Sequence, residues 1–286
     1  MIILVHGGAG KIPSKDKQER KSMLEKAAEL GSGEDNPIRA VEKAVTILEN
    51  DPLFNAGYGG SLQLDGTVRL DAAIMGSDLS AGGVINVERI KNPIRLANAV
   101  RKKTPHVLLQ GEGALELGEN LGLEMAEEAD SPAARKKWEK LVDKLTGLSY
   151  LERIEKLSEL QDGSDTVGAV AMDGEFLAAG TSTGGISTQM KGRVGDSPII
   201  GSGLFCNEYG AVSTTGIGEA IIKVNLARDL VYRLKQGVSA GTAAEKAISH
   251  LEKSTASRAG LIALDQKGEV GTAYNTRDMQ YALKKS

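Results

Sequence analysis

The sequence predicts an α/β fold of the αββα type, a four-layer sandwich in which two stacked sheets are covered by helices on both outer sides. Short runs of small and apolar residues, bounded by Gly and Asp turns, indicate buried strands. Amphipathic segments with helical period lie around these runs and fit helices at the margins of the sheets. A chain of 286 residues with 41% hydrophobic residues can bury one core, so a single domain over residues 1–286 is expected.

The first half alternates strands and helices. Residues 2–5 form a short apolar run that predicts a strand. Asn36 followed by Pro37 is a typical helix start, with Asn as the cap, and Asn92 with Pro93 repeats that signal for a helix that ends near residue 100. The further elements expected here are strands at 68–75, 83–87 and 106–109 and a helix at 114–121.

The second half begins abruptly at Thr166 with strands of small residues. Two of them are joined by Asp173-Gly174, a dipeptide typical of hairpin turns. The region 218–235 predicts one long helix that is apolar on much of its circumference. The further elements expected are strands at 166–172, 175–182 and 210–214, a helix at 242–252, and a hairpin of 259–265 with 269–275.

Residues 124–164 differ in composition from both halves. They are rich in Lys, Glu, Arg and Asp and poor in β-branched residues, with one marginal amphipathic helix near Trp138. A turn at Asp162-Gly163 and then Ser164 close the segment. We interpret it as an exposed and mobile connector.

The composition excludes several classes of function. A net charge of −3 and 3% aromatic residues give no basis for nucleic-acid binding, and no segment approaches the roughly 20 apolar residues of a membrane span. The first residues lack a basic region followed by a long apolar run, so no secretion signal is expected. With one cysteine and three histidines outside any zinc motif, we expect no catalytic cofactor and a cytoplasmic protein.

The residues left for catalysis are Thr, Ser, Asn, Asp and Arg, which cluster around glycines in the second half. Thr215 and Gly216 lie where a predicted strand meets a predicted helix, and their donors can stabilise an oxyanion. Arg193 and Asp196 flank a Gly turn and can bind the carboxylate and ammonium of an α-amino acid. Taken alone, each Thr/Gly cluster fits an ordinary turn better than a site, and the Arg–Asp pair fits a surface ion pair better.

Together these motifs resemble the plant-type L-asparaginase and isoaspartyl aminopeptidase family of N-terminal-nucleophile hydrolases. The match runs almost from end to end, and only the connector before Ser164 is unassigned. The matching motifs are HGGAG at 6–10, FNAG at 54–57, LDA at 70–72, NP at 92–93, TPH at 104–106, DTVGAVA at 165–171, TGG at 183–185, GRVGDSP at 192–198, VSTTGIG at 212–218 and KVNLA at 223–227.

The resemblance implies the αββα fold of these hydrolases and a chain that cuts itself between Asp165 and Thr166. Residues 1–165 then form an α subunit and residues 166–286 a β subunit. Thr166 becomes the N-terminal nucleophile. Thr183 is implied to hydrogen-bond the hydroxyl of that nucleophile.

The resemblance also implies the substrates, L-asparagine and β-aspartyl (isoaspartyl) dipeptides. Arg193 matches the anchor for the α-carboxylate, and Asp196 with the carbonyl of Gly218 matches the α-ammonium site. Thr215 and Gly216 match the oxyanion site.

An N-terminal Thr can act without a histidine base. Its own α-amino group has a pKa of roughly 8, so a neutral fraction can take the hydroxyl proton near pH 7. Oγ of Thr166 would attack the side-chain amide carbon and form a β-aspartyl ester, ammonia or an amine would leave, and water would release aspartate. Asn55 is implied to position or polarise the substrate.

A structural sodium ion and a homodimer of cleaved αβ units, (αβ)2, are further implications of the resemblance. The ion would be bound by backbone carbonyls and would take no part in catalysis. The carbonyls implied are those of Leu48, Glu49, Asp51, Phe54, Ala56 and Tyr58.

Ser164-Asp165 departs from the pattern, since many members of the asparaginase type have Gly before the nucleophile. Asp at this position is similar to the glycosylasparaginase and threonine-aspartase branches. A glycosylasparaginase is therefore the alternative enzyme. An uncleaved, inactive protein that binds Asp or Asn is the alternative outside enzymes.

Overall fold

The computed structural model describes residues 1–126, 130–160 and 165–286, and their strands and helices form the four layers that the sequence predicts. The strands are β1 (Ile2–Gly10), β2 (Leu70–Gly76), β3 (Ala81–Val87), β4 (Leu108–Gln110), β5 (Val167–Asp173), β6 (Phe176–Thr183), β7 (Leu204–Asn207), β8 (Gly210–Gly216), β9 (Ala259–Asp265), β10 (Val270–Tyr274) and β11 (Asp278–Lys285). The helices are α1 (Lys17–Ser32), α2 (Pro37–Glu49), α3 (Pro93–Lys103), α4 (Gly111–Asn120), α5 (Pro132–Val142), α6 (Tyr150–Leu160), α7 (Gly218–Val224), α8 (Leu226–Lys235) and α9 (Ala240–Thr255).

The strands form two sheets. The larger sheet has the order β11-β1-β5-β6-β2-β3-β4, and the smaller has the order β10-β9-β8-β7. Two strands of the second half of the chain, β5 and β6, lie between β1 and β2 of the first half. Antiparallel ladders join all four strands, so the two halves share one continuous sheet.

Three groups of buried apolar side chains lie between successive layers. Along β1, Ile3 and Val5 pack with α1 and α2, whereas Leu4 between them packs with strands of the smaller sheet. On the other side of the smaller sheet, Val212 packs with Leu230 of α8 and with α9. Both faces of both sheets are therefore covered, which explains why their strands are small and apolar and do not alternate with polar residues.

The start of α3 is stabilised by a different residue from the one expected. Pro93 opens the helix, but the side chain of Asn92 does not cap it and instead donates to Oδ1 of Asn50 at 3.0 Å. The carboxyl group of Glu49, at the end of α2, accepts the N–H of Ile94 at 3.0 Å. Burial raises the pKa of Glu49 to about 8, although hydrogen bonds such as the one from Ile94 lower it in part.

The single helix expected over 218–235 is wrong, because the chain forms two helices that meet at Asn225. Asn225 has φ 49° and ψ 54°, the left-handed conformation, which ends α7 before α8 begins. Asn adopts this conformation more readily than most residues. Apolar residues continue on both sides of the break, so the hydrophobic pattern carries no sign of it.

Among the described residues, four elements were not predicted: α1, α6, β7 and β11. α1 is mostly polar and buries only a narrow stripe that includes Leu24 and Ala27. β11 is the edge strand of the larger sheet, and Met279 and Ala282 are its buried apolar residues. Such weak patterns give little signal in the sequence. Within the described ranges, no helix is long and apolar enough to cross a membrane.

The segment expected to be an exposed connector contains two helices, α5 and α6. Most of their described side chains are exposed or half-buried, but Ser131, Leu145 and Leu157 are buried and depart from that expectation. Nε1 of Trp138 donates to the carbonyl of Gln63 at 2.7 Å, which attaches α5 to the body of the protein. The turn at 162–163 and Ser164 lie outside the described residues.

We expect Glu49→Gln to flatten the pH dependence of stability. The folded pKa of Glu49, about 8, lies above the ordinary value, so between roughly pH 4.5 and pH 8 the unfolded chain loses a proton that the folded chain keeps. Stability therefore falls as pH rises through this window, by roughly 2–4 kcal/mol. Gln cannot ionise, so thermal unfolding followed from pH 5 to pH 8.5 should show a smaller decline in the variant. An equal decline in both proteins would contradict the assignment.

Candidate active site

The candidate site lies at the end of the β5–β6 ladder, on the face of the larger sheet that meets the smaller one. Val167 pairs with Ser182, so the antiparallel register sets Thr166 opposite Thr183, one step further along. Thr183 in turn pairs with Asp71 of β2. Because side chains alternate between the two faces of a sheet, Asp71, Thr183 and Thr166 form one row across three strands.

Thr166 is enclosed at this position, with a relative exposure of 1%. Its Oγ lies 3.3 Å from Oγ of Ser197. The preceding residue, Asp165, packs on the irregular part of β1 between His6 and Ala9, where a Cβ added to Gly8 would lie 2.8 Å from Cα of Asp165. Gly8 also has φ 106°, so a side chain at this position would be both strained and obstructed. The glycine segment of β1, residues 7–10, thus lies directly against the residue before Thr166.

His6 is a neutral structural group. Burial lowers its pKa to about 3, although the backbone of Thr166 raises it in part, so the ring carries no charge at pH 7. Nδ1 accepts the N–H of Gly8 at 3.3 Å, and this leaves the proton on Nε2, which donates to Oγ of Ser213 at 2.8 Å. His6 therefore connects the glycine segment of β1 to β8.

Asn55 and Thr183 organise the turn that follows β6. Oδ1 of Asn55 accepts the N–H of Ser61 at 2.8 Å, and Nδ2 donates to the carbonyl of Gly185 at 2.6 Å. Oγ of Thr183 accepts the N–H of Gly185 at 3.0 Å. Both side-chain groups of Asn55 are thus engaged within the protein, and its action on substrate stays a prediction, as does the hydrogen bond of Thr183 to Thr166.

Thr215 and Gly216 end β8 beside the space between the sheets. Thr215 is completely buried and lies on the same strand face as Ala211, which belongs to the core between the sheets. Gly216 has φ 141°, and a Cβ there would lie 2.6 Å from Cα of Ala259. Only glycine fits this position, so the end of β8 can approach its neighbours closely.

The structure brings Arg193, Asp196 and Gly218 together. A Cβ on Gly218 would lie 2.8 Å from Nη2 of Arg193 and 2.9 Å from Oδ1 of Asp196. Nε and Nη2 of Arg193 donate to the carboxylate of Glu219 at 2.9 and 3.0 Å, and Nη1 donates to Gln189 at 3.2 Å. Two partners therefore fix the orientation of the guanidinium.

Two buried carboxyl groups adjoin this cation. Burial raises the pKa of Asp196 to about 6, although Arg193 and the hydroxyl of Thr214, which donates at 3.1 Å, lower it in part. Burial likewise raises the pKa of Asp71 to about 7, against the effect of the N–H of Asn86, which donates at 2.7 Å. A cation flanked by carboxylates is complementary to a ligand that carries both charges.

Sequence reasoning assigned no role to Ser197, Glu219 or Asp71. Ser197 and Asp71 lie inside matched motifs, and Glu219 follows Gly218, but their contacts reach residues far away in the chain. The pairing of strands brings these partners together. The only feature of the sequence that could have indicated Glu219 is that an acidic residue follows Gly218, a predicted binding residue.

The sodium loop stays a prediction, and the structure locates two of its carbonyl groups. The backbone coils so tightly that Cβ atoms on Gly57 and Gly59 would collide with the carbonyl oxygens of Glu49 and Phe54. The carbonyl oxygens of Glu49 and Phe54 therefore lie close to residues 57–59, and oxygen donors of this kind suit a hard cation. Among the described residues, no cluster of three or more His, Cys, Asp or Glu side chains is arranged to hold a metal ion.

Comparison of the sequence with known proteins shows the family of this chain. A family model described as Asparaginase matches residues 1–286. Plant-type L-asparaginase of Pyrococcus furiosus is 44% identical, over 100% of this chain and 96% of its own, and that of Thermococcus kodakarensis is 45% identical, over 99% and 96%. Isoaspartyl peptidase/L-asparaginase of Mus musculus is 41% identical, over 100% and 88%. With its whole length matched and its four layers in place, the chain belongs to the asparaginase family of N-terminal-nucleophile hydrolases.

Proposed function

We propose that this chain is the precursor of a Thr amidohydrolase that cuts itself between Asp165 and Thr166. The product hydrolyses the side-chain amide of L-asparagine and the isoaspartyl bond of β-aspartyl dipeptides. The observation that carries the proposal is the burial of Thr166 opposite Thr183 and in contact with the loop of Asp196. Relatives named for both activities support the two substrate classes.

Self-cleavage is an attack of Oγ of Thr166 on the carbonyl carbon of Asp165. The peptide C–N bond breaks as the ester forms, and the hydroxyl proton ends on the released nitrogen. Water then hydrolyses the ester and leaves a free α-amino group on Thr166. The packing of Asp165 on Gly8 supports this step, because it limits the movement of the peptide that is attacked.

Substrate hydrolysis uses the new amino group as the base. Oγ of Thr166 attacks the amide carbon, and ammonia or an amine leaves from the β-aspartyl ester. Thr215 and Gly216 stabilise the oxyanion of each tetrahedral intermediate. Asn55 keeps the turn at Gly185 in place beside the nucleophile. Water finally releases aspartate.

Substrate binding uses the charges around Arg193. Its guanidinium has five N–H donors, and the contacts to Glu219 and Gln189 engage three of them. The remaining donors on Nη1 and Nη2 form a fork that matches a carboxylate. Asp196, with the carbonyl of Gly218, receives the ammonium group. The anchor therefore selects an α-amino acid end and leaves the β-amide towards Thr166.

We also propose an (αβ)2 homodimer, a structural sodium ion bound by backbone carbonyls within residues 48–58, and a cytoplasmic location. The typical properties of the family support the dimer. The carbonyl donors of this segment support the ion, which takes no part in either reaction. The single cysteine, Cys206, is buried, and burial raises its pKa well above the ordinary value, which fits a reduced, unreactive thiol. We propose neither a membrane nor a nucleic-acid partner.

Thr166→Ala should stay as one chain, whereas the wild type should separate into fragments 1–165 and 166–286. Alanine lacks the hydroxyl that attacks, so no ester can form. Intact mass after incubation measures the cleavage, and ammonia release from L-asparagine measures turnover by the processed wild type. Cleavage of the variant at the wild-type rate would contradict the assignment of Thr166. A wild type that binds aspartate but never cleaves would be the inactive binding protein.

Arg193→Ala should weaken binding of L-aspartate, the proposed product, by roughly 10- to 100-fold, the loss typical of a charge-assisted hydrogen bond. Arg193→Lys keeps the charge but loses the two-donor fork, so its aspartate affinity should lie between those of the wild type and Arg193→Ala. Glu219→Gln is the matched control, because it removes a partner of Arg193 and keeps the guanidinium. Calorimetry measures the affinity. Equal affinity in wild type and Arg193→Ala would make Arg193 a simple ion-pair partner.

Aspartate affinity should fall as pH drops through about 6. Burial raises the pKa of Asp196 to about 6, and only its ionised form attracts the ammonium group. Each pH unit below this value should cost ~10-fold in affinity. Calorimetry from pH 5 to pH 8 measures the profile, and Asp196→Asn should show low affinity throughout. Asp71→Asn, which removes the neighbouring group, should keep the decline near pH 6, and its disappearance there would assign the effect to Asp71.

A further inference from the structure

We propose that Ser197 is a further catalytic residue, whose hydroxyl accepts the proton of Thr166 Oγ and passes its own proton to the α-amino group of Thr166. This inference rests on the proposed function, because it concerns the step in which Thr166 acts as an N-terminal nucleophile. The two Oγ atoms lie 3.3 Å apart, and both residues are 1% exposed. The hydroxyl of Ser197 therefore faces the reacting atom in a region closed to bulk water.

The 3.3 Å separation is longer than the 2.7–2.8 Å typical of hydrogen bonds between hydroxyls. Catalytic hydrogen bonds are often long before substrate binds and shorten in the reacting complex. In the uncut chain the nitrogen of Thr166 is held in a peptide bond to Asp165. Cleavage frees this nitrogen, so the side chain of Thr166 gains the freedom to approach Ser197.

The backbone of Ser197 is held on two sides. Oγ of Thr181, completely buried in β6, donates to the carbonyl of Ser197 at 2.7 Å. On the other side, the N–H of Gly203 donates to the carbonyl of Asp196 at 3.1 Å, and a Cβ on Gly203 would lie only 2.5 Å from Cα of Ser197. The backbone position of Ser197 is thus fixed. Rotation about its Cβ–Oγ bond is then enough for the hydroxyl proton to change partners.

A second hydroxyl solves a geometric difficulty of an N-terminal Thr. Its hydroxyl and its amino group sit on adjacent carbons, so direct transfer closes a five-membered ring in which the O–H···N angle is strongly bent. Hydrogen bonds weaken steeply below about 120°. A serine hydroxyl accepts one proton and donates another, so it can bridge the two groups along straighter lines.

The step balances without any added reagent. The O–H bond of Thr166 breaks as its oxygen forms a C–O bond to the amide carbon, and the proton moves to Oγ of Ser197. The proton that Ser197 carried moves to the α-amino group, which becomes an ammonium group. That ammonium group then protonates the leaving nitrogen, so the amine and the Ser197 hydroxyl return to their starting states, while Oγ of Thr166 stays in the ester until water hydrolyses it.

The position of Ser197 also relates the nucleophile to the substrate anchor. Ser197 directly follows Asp196, whose carboxyl group is part of the anchor beside Arg193. One peptide unit therefore sets the distance between the group that receives the substrate's ammonium and the group that contacts Thr166. A substrate bound to Asp196 would therefore contact the same turn that carries the hydroxyl of Ser197.

The test compares Ser197→Ala, which lacks the hydroxyl, with Ser197→Thr, which keeps it. Ser202→Ala is the matched control, since Ser202 is buried in the same loop and its hydroxyl faces Oδ1 of Asn225 at 3.5 Å. In processed protein, Ser197→Ala should lower kcat roughly 10²-fold, the scale of general acid–base catalysis, with aspartate affinity changed less than about twofold. Ser197→Thr should recover most of kcat, and Ser202→Ala should match wild type.

Self-cleavage of the same variants supplies a second measurement. The uncut chain lacks the free α-amino group at which the relay ends, so Ser197→Ala should still cut itself and supply the processed protein for the kcat measurement. Wild-type kcat in Ser197→Ala, or equal damage in Ser197→Ala and Ser197→Thr, would overturn the inference and leave the proposed function intact. A wild type that neither cuts itself nor releases ammonia would instead overturn the proposed function.

Discussion

The pairing of β5 between β1 and β6 is the constraint on which the candidate site depends. It sets Thr166 opposite Thr183 at the end of one ladder and brings the glycine segment of β1 against Asp165. The smaller sheet then covers this row and supplies Thr215 at the end of β8. Every functional side chain proposed for the larger sheet is thus positioned by backbone hydrogen bonds, and the side chains that approach it come from loops and strands on the opposite layer.

Glycine and buried charge make that close approach possible. Gly8, Gly203, Gly216 and Gly218 each lie where a Cβ would collide with backbone or with a charged side chain of the site. The charges beside them are mutually supporting, because Arg193 lies near two buried carboxyl groups whose pKa values burial raises. The result is a region with buried carboxyl groups and both signs of charge, and burial strengthens electrostatic recognition.

Much of the fold could be predicted from the sequence because its strands are short, apolar and bounded by clear turns. This pattern predicted the layered arrangement and most of the strands. The family motifs identified Thr166, Arg193 and Asp196 as candidate site residues. The break at Asn225 could not be predicted, because it depends on one backbone conformation inside a continuous apolar pattern. Ser197, Glu219 and Asp71 could not be assigned either, since their partners come from other strands and loops, and no spacing along the chain encodes those distances.

The two halves of the chain are interleaved in one sheet, and this arrangement affects how the protein unfolds and refolds. If the chain is cut after Asp165, as proposed, β5 and β6 belong to one polypeptide, while their neighbours β1 and β2 belong to another. Heating the processed protein then separates two molecules, and recovery requires them to meet again, so it depends on concentration. The uncut precursor refolds as a single molecule. The stability of the processed protein is therefore set by its rate of unfolding more than by its free energy of unfolding. That rate depends on the barrier to separating the central strands.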